Sequence, residues 1–316
     1  MQRRTFLKNA ALFCCAMNSW GATTQQALSR FKLGAISDGF SQDFEEALKI
    51  MRGYGLHWVE IRAVYGVYNT EASPQQVQQI KQLLDKYQFR VSVIDSALYK
   101  CLLPGTTPMN ATGKDKYPYG QQMDLLKRAC ERAHTLGADK IRGFTFWRVA
   151  QPESITGRIA EELEKADEVA RSAGVRLVIE NEESCNAATG HELAAILNKA
   201  ASAHNVGANW DVGNGYSRGE VSYPNGYDAL DKKRIWHMHL KGMICQDNLT
   251  HCKECFPDEG QIDLAGQFRA LMRNGYQGTM SLECEFQAPG LSHQETTKRS
   301  MEGLLKVMNR AVSSAG

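Results

Sequence analysis

No apolar run in this sequence reaches the length of about twenty residues that a membrane-crossing helix needs. No glycine-rich turn follows the first β-like segment, and that absence argues against a doubly wound sheet built around a nucleotide phosphate. No linker or compositional break divides the chain. Its 316 residues therefore read as one large domain, with a hydrophobic content of 43% and a charged content of 23% that are ordinary for a globular protein. A surplus of basic residues is also missing from the body of the chain. Residues 1–22 hold Arg3, Arg4 and Lys8 and no acid; without them 37 basic residues become 34 against 35 acidic ones, a balance of −1. No field for nucleic acid is left.

What is present begins with the segment just set aside. "MQRRTFLKNAALFCCAMNSWGA" pairs Arg3 and Arg4, adds Phe6, Leu7 and Lys8, and continues into a short apolar run. It resembles a twin-arginine export signal. The expectation is a signal over 1–22, a partner in the twin-arginine export machinery, and a periplasmic product without a stable membrane anchor. The folded domain is expected over 30–316.

From residue 31 the chain alternates. Eight candidate strands are Lys32–Ser37, His57–Arg62, Phe89–Asp95, Lys140–Phe146, Val175–Glu180, Asn205–Asp211, Ile235–Leu240 and Thr279–Cys284. Helical spacing lies between many of them, as in Phe44, Ala47, Leu48, Met51 and in Ile155, Ile159, Leu163, Ala166. Ser73-Pro74 reads as a helix start, and Ser292-x-x-Glu295 as a capping box before a final helix. Eight strand-then-helix units are the count for an α/β fold of the (β/α)8 barrel type. The segments Ser96–Gly120 and Met243–Gly260 are expected to be long loops on the C-terminal face of that barrel.

Arg234–Gly242 reads "RIWHMHLKG". On a strand, His237, His239 and Lys241 point to one side. In a barrel the site lies at the C-terminal strand ends, and there the second half places Glu180, Asp211, the two histidines and Glu283. Such charges are costly to bury unpaired. A divalent cation removes that cost, and oxygen-plus-imidazole donors suit Mn2+, which is the ion expected, or Co2+, Mg2+ or Zn2+. His237, one step deeper, reads as a hydrogen-bonded interior histidine. Glu60 on the second strand reads as part of an interior network.

With these residues in place, the chain resembles the xylose isomerase-like TIM-barrel family of sugar isomerases and epimerases. "HWVEIR", "LVIENEE", "NWDVGN", "HMHLKG" and "GYQGTMSLECE" carry the resemblance in order, over nearly all of the mature chain. It implies metal ligation by Glu180, Asp211, His239 and Glu283. It also implies proton abstraction beside a carbonyl, with Glu180 and Glu283 as the catalytic carboxylates and a metal-stabilised enediolate. Lys241, Asn214, Glu182, Arg142 and Trp147 are the candidate contacts to a small carbohydrate substrate. Gly242, Asn214 and Asn181-Glu182 depart from the family pattern and argue against a free ketohexose.

Three outcomes share that chemistry: isomerisation, epimerisation, and loss of a β-substituent by a lyase or hydratase acting on a keto-sugar or keto-glycoside. A non-catalytic sugar-binding barrel is a further alternative. A phosphodiesterase on the same barrel is disfavoured by the charge balance and the few inward histidines. Cys245, Cys252 and Cys255, with His251 beside them, fit a disulfide, a small zinc site or free thiols, and outside the cytoplasm the disulfide is the expected state. Cys101 is a second candidate partner for this loop. A homo-oligomer and a monomer are both left open.

Overall fold

Each of the eight candidate runs forms a strand, in the expected order. The computed structural model describes residues 26–109, 115–246 and 249–314, so the twin-arginine segment over 1–22 lies outside the described residues. The barrel strands are β1 (Lys32–Ala35), β2 (Trp58–Ile61), β3 (Arg90–Leu98), β4 (Lys140–Gly143), β5 (Arg176–Glu180), β6 (Val206–Asp211), β7 (Ile235–Leu240) and β8 (Thr279–Leu282). They pair in parallel from β2 through β8 in sequence order, and β8 returns to β1. A parallel bridge between Ile36 and Glu60 joins β1 to β2, so eight strands make a nearly closed barrel. This is the (β/α)8 architecture.

A helix follows every strand: α1 (Phe44–Gly53), α2 (Pro74–Tyr87), α3 (Gln122–Leu136), α4 (Thr156–Ser172), α5 (Gly190–Lys199), α6 (Val212–Ser217), α7 (Leu264–Arg273) and α8 (His293–Ser313). Their starts are chemically marked. Ser73, Thr189 and Ser292 each accept from the third helical N–H, while Gln76, Glu192 and Glu295 reach back to the cap residue. The apolar stripes face the sheet, with Phe44, Ala47, Leu48 and Met51 of α1 fully buried.

Two expectations change. Met243–Gly260 is not a structureless loop: Gly242–Gln246 and Thr250–Cys255 pair as an antiparallel hairpin. Cys245 and Cys252 lie opposite each other in its register and form a disulfide, while Cys101 is buried and free and does not pair with this segment. The zinc alternative fails because Cys245 and Cys252 spend their thiols on each other. The loop after β3 is also tied down. Leu102 N donates to Asp115 Oδ2, Trp147 N to the Cys101 carbonyl, and Pro108 bridges to Val149.

Candidate metal centre

The strand register sets the levels of the barrel interior. Glu180 lies beside Asn209, and Asn209 beside His237, which in turn pairs with Thr279. One pleat higher, Asp211 pairs with His239, and His239 with Ser281. Glu283 is the next inward position of that last stave. A register shift between Ala208 and Asn209 re-aims the end of β6, as bulges do near sites.

Glu180, Asp211, His239 and Glu283 meet there, with one ligand atom from each within 4.8 Å of the others. None is more than 2% exposed. Nδ1 of His239 is 3.2 Å from Glu180 Oε1, 3.2 Å from Glu283 Oε2 and 3.7 Å from Asp211 Oδ2. Nε2, on the far side of the ring, is 3.0 Å from Glu60 Oε1. In the neutral ring that contact favours the proton on Nε2, which would leave the Nδ1 lone pair toward the carboxylates; without a cation the surrounding acids favour a proton on both nitrogens. Glu60 Oε2 takes the Nε2 proton of His237 at 2.8 Å, and Nδ1 of His237 accepts from the Thr279 hydroxyl at 2.6 Å. His237 is thus the interior histidine expected, and Glu60 is the hub of the network beneath the centre.

Asp211 is divided between two tasks. Its Oδ1 accepts from the N–H groups of Gly213 and Asn214 at 2.7 and 2.8 Å, capping α6, which leaves Oδ2 for the centre. Lys241 Nζ lies 3.1 Å from Asp211 Oδ2 and 2.7 Å from Glu283 Oε2. It reaches them across Gly213, where a Cβ would sit 2.5 Å from the Lys241 Cδ. Arg142 Nη1 lies 3.1 Å from Glu180 Oε2, and its Nη2 3.3 Å from Asp95 Oδ2. Arg62 holds Asp38 through both carboxylate oxygens and reaches Glu283 Oε1 at 3.2 Å.

The electrostatics follow from burial opposed by these partners. Burial and the Glu283 and Glu180 charges push Asp211 up to about 7, against the pull of Lys241. Burial also penalises the Glu283 carboxylate, but Lys241, His239 and Arg62 outweigh it and hold its pKa well below the usual range. Burial disfavours a charge on His239; Glu60, Glu283 and Glu180 override it and raise its pKa well above that of free imidazole.

These residues fit a divalent cation. Glu180 Oε2 and Asp211 Oδ2 are buried without an aligned hydrogen-bond donor, although Arg142 and Lys241 stand within ion-pair range of them. Three carboxylates and one imidazole nitrogen with an outer carboxylate on its other N–H are the donor set that such ions take.

The remaining candidates divide. Lys241 and Arg142 stand among the side chains of this cluster. Asn214 reaches Glu180 Oε1 at 3.4 Å while bonding the Asn181 carbonyl at 2.9 Å. Glu182 turns to Lys100 at 2.9 Å and to Ser184, and the Trp147 indole N–H donates to Asp115 at 2.6 Å. These last two belong to the loops above the barrel and are not brought into the cluster. Arg148, at the same strand end, clamps Glu192 of the α5 capping box. Asp38, Arg62 and Asp95 were missed, though Arg62 is two residues past Glu60 and Asp95 closes the candidate run Phe89–Asp95, three residues short of the end of β3. The hairpin also delivers Glu254, which accepts from the Glu285 N–H at 3.0 Å and which burial pushes up to about 8.

A family model described as xylose isomerase-like TIM barrel matches residues 48–307. Among curated proteins, no sequence matches this chain. Solved structures share the fold at low identity. An IolI protein with a bound zinc atom is 17% identical, with a TM-score of 0.68 over 90% of this chain and 99% of its own. The D-allulose 3-epimerase of Methylomonas sp., in complex with D-allulose, is 16% identical, with a TM-score of 0.60 over 88% and 97%. A probable 3-DHS dehydratase, AsbF of Bacillus anthracis, is 14% identical, with a TM-score of 0.66 over 86% and 98%.

Proposed function

This chain belongs to the xylose isomerase-like TIM-barrel family, and from that premise we propose that it is a divalent-metal-dependent sugar isomerase or epimerase. The observation that carries the reading is the convergence of Glu180, Asp211, His239 and Glu283 from four consecutive staves. These four would hold the ion, with Mn2+ preferred and Co2+, Mg2+ or Zn2+ as alternatives. When bound, such an ion polarises a carbonyl and stabilises negative charge on neighbouring oxygens.

The chain's own groups supply the proton transfers. Glu180 and Glu283 approach the same histidine nitrogen from different strands, both at 3.2 Å. One carboxylate takes the proton from the carbon beside the substrate carbonyl, and the other returns a proton. Return to the opposite face of the same carbon gives epimerisation; return to the former carbonyl carbon gives isomerisation. Lys241 and Arg62 hold Glu283 ionised as a base. Lys241, Arg142 and Asn214 line the centre as candidate substrate contacts, with Glu182 and Trp147 in the wall above.

A second reading is a lyase or hydratase acting on a keto-sugar or keto-glycoside. The ammonium of Lys241, 2.7 Å from the Glu283 carboxylate, favours it. The carboxylate takes the α-proton, the β C–O bond breaks, and the ammonium gives its proton to the departing oxygen. We place the protein in the periplasm, exported by the twin-arginine route. Arg3-Arg4 with the following apolar run supports this, as does a disulfide in the hairpin, since disulfides persist in oxidising compartments.

Metal analysis followed by incubation with free sugars and keto-glycosides in D2O separates the readings. Deuterium on a retained carbon skeleton supports an isomerase or epimerase. Release of an aglycone supports the lyase. A metal-free protein that does neither refutes both. Export is tested by fractionating cells that carry Arg3→Lys and Arg4→Lys, which should trap the protein in the cytoplasm.

A further inference from the structure

At the end of the barrel opposite the metal centre, the molecule opens into a cavity of about 790 Å3. Lys32, Trp58, Arg90, Lys140 and Arg176, the opening residues of β1 to β5, all line it. In total seven lysines and arginines line this space against two aspartates, Asp85 and Asp139, although Lys232 turns its ammonium to the carbonyls of Tyr227, Asp228 and Leu230. A balance of +5 is therefore gathered in one concavity of a chain whose formal net charge is +2.

Folding accounts for only part of this charge. Lys140 Nζ lies 2.5 Å from Asp139 Oδ1, and Asp139 Oδ2 takes Arg176, so one carboxylate serves two cations. Lys140 is only 5% exposed, and burial pulls its pKa down. Lys32 and Arg90 stand over the Trp58 ring, 6.0 and 5.7 Å from its centroid. The Lys32 ammonium otherwise meets the Gln277 carbonyl at 2.8 Å, and among the described residues neither cation has a carboxylate within ion-pair distance. Arg176 covers the Trp236 ring at 5.2 Å. Like charges lining one concavity repel each other, focus a positive potential and attract an anion.

We propose that this cavity binds a small multivalent oxyanion of the phosphoryl class. Lys32, Arg90, Lys140 and Arg176 take its oxygens, since ammonium and guanidinium groups form strong charge-assisted bonds to such oxygens. Trp58 and Trp236 carry Lys32, Arg90 and Arg176 over their rings and so hold these cations at the cavity. The proposal is independent of the reaction at the other end of the barrel, because none of these residues belongs to the metal centre.

The test is a calorimetric titration of the full, metal-free chain with inorganic pyrophosphate, with tryptophan fluorescence read in parallel. One equivalent should bind with a Kd below about 1 mM, and more weakly as salt is raised. Lys32 and Arg90 are both exposed, so the pair Lys32→Gln with Arg90→Gln should fold normally. It should weaken binding by about tenfold or more, a loss of about 1.4 kcal/mol. Lys253→Gln, an exposed change in the hairpin at the opposite end, should leave binding unchanged, and Trp58→Phe should remove most of the fluorescence change. Sulfate should bind more weakly than pyrophosphate. Absence of binding, survival of full affinity in the Lys32/Arg90 pair, loss of affinity in Lys253→Gln, or equal affinity for sulfate would each overturn the assignment.

Discussion

Glu60 Oε1 stands 3.0 Å from Nε2 of His239, on the side of the imidazole turned away from the carboxylates of Glu180, Asp211 and Glu283. One buried acid thereby fixes the tautomer and the tilt of the ring. Replacing it with Gln leaves volume and burial nearly intact but removes the negative acceptor. Divalent-cation affinity should fall about 10- to 100-fold, as it does when an outer carboxylate is lost from a histidine ligand. Competition with a chromophoric chelator measures this; an affinity equal to that of the parent would remove Glu60 from the role.

Cation binding should also stabilise the fold, because the four donors are assembled only in the folded chain. At a free concentration one hundred times the Kd, the gain is about 2.7 kcal/mol, visible as a rise in melting temperature that a chelator reverses. Asp211→Asn should lose most of that rise. Asn still caps α6 through its side-chain oxygen, so its metal-free melting temperature should remain close to that of the parent.

Glu254 gives a pH prediction for the chelator-treated protein. Its folded pKa is raised to about 8 by burial, above an unfolded value near 4.3. Below the unfolded value both states hold the proton and the group costs nothing. As pH rises, the unfolded chain ionises first, so the protein loses stability relative to Glu254→Gln up to about pH 8. Above that the gap should level off. Urea midpoints of the two proteins from pH 4 to 9 would show it, and a constant gap would contradict the raised pKa.

Arg148 predicts a stability effect without a catalytic one. It bonds both oxygens of Glu192 and the carbonyls of Cys185 and Asn186, and so ties the end of β4 to the start of α5. Arg148→Ala should cost about 2 kcal/mol, read as a lower urea midpoint, with KM unchanged. A raised KM at unchanged stability would place the guanidinium at the substrate instead.

The eight staves were readable because each is a short β-branched or apolar run followed by a helical stripe and a stop signal, and a barrel repeats that unit. The acids and imidazole at the strand ends were readable for a related reason. Strand periodicity assigns Glu180, Asp211, His239 and Glu283 to the inside, where charge needs an explanation. The hairpin from Gly242 was not readable, because its strands are short and carry no clean apolar alternation, and Cys245 meets Cys252 only once they pair. The side-chain directions of Trp147 and Glu182 were not readable for a different reason. Position at a strand end says which end of the barrel a residue occupies, but the loop partners Asp115 and Lys100 decide where its side chain turns.

Sequence alone determined the alternation, the order of the staves and the inward face of each, since these follow from local periodicity and capping chemistry. Only the tertiary structure decided which charges neutralise one another: Glu60 between two histidines, Lys241 across Gly213 to Glu283, Arg142 between Asp95 and Glu180. Those pairings join residues up to 179 positions apart. They are set by the register and closure of the barrel, which bring together through space what no window of the chain contains.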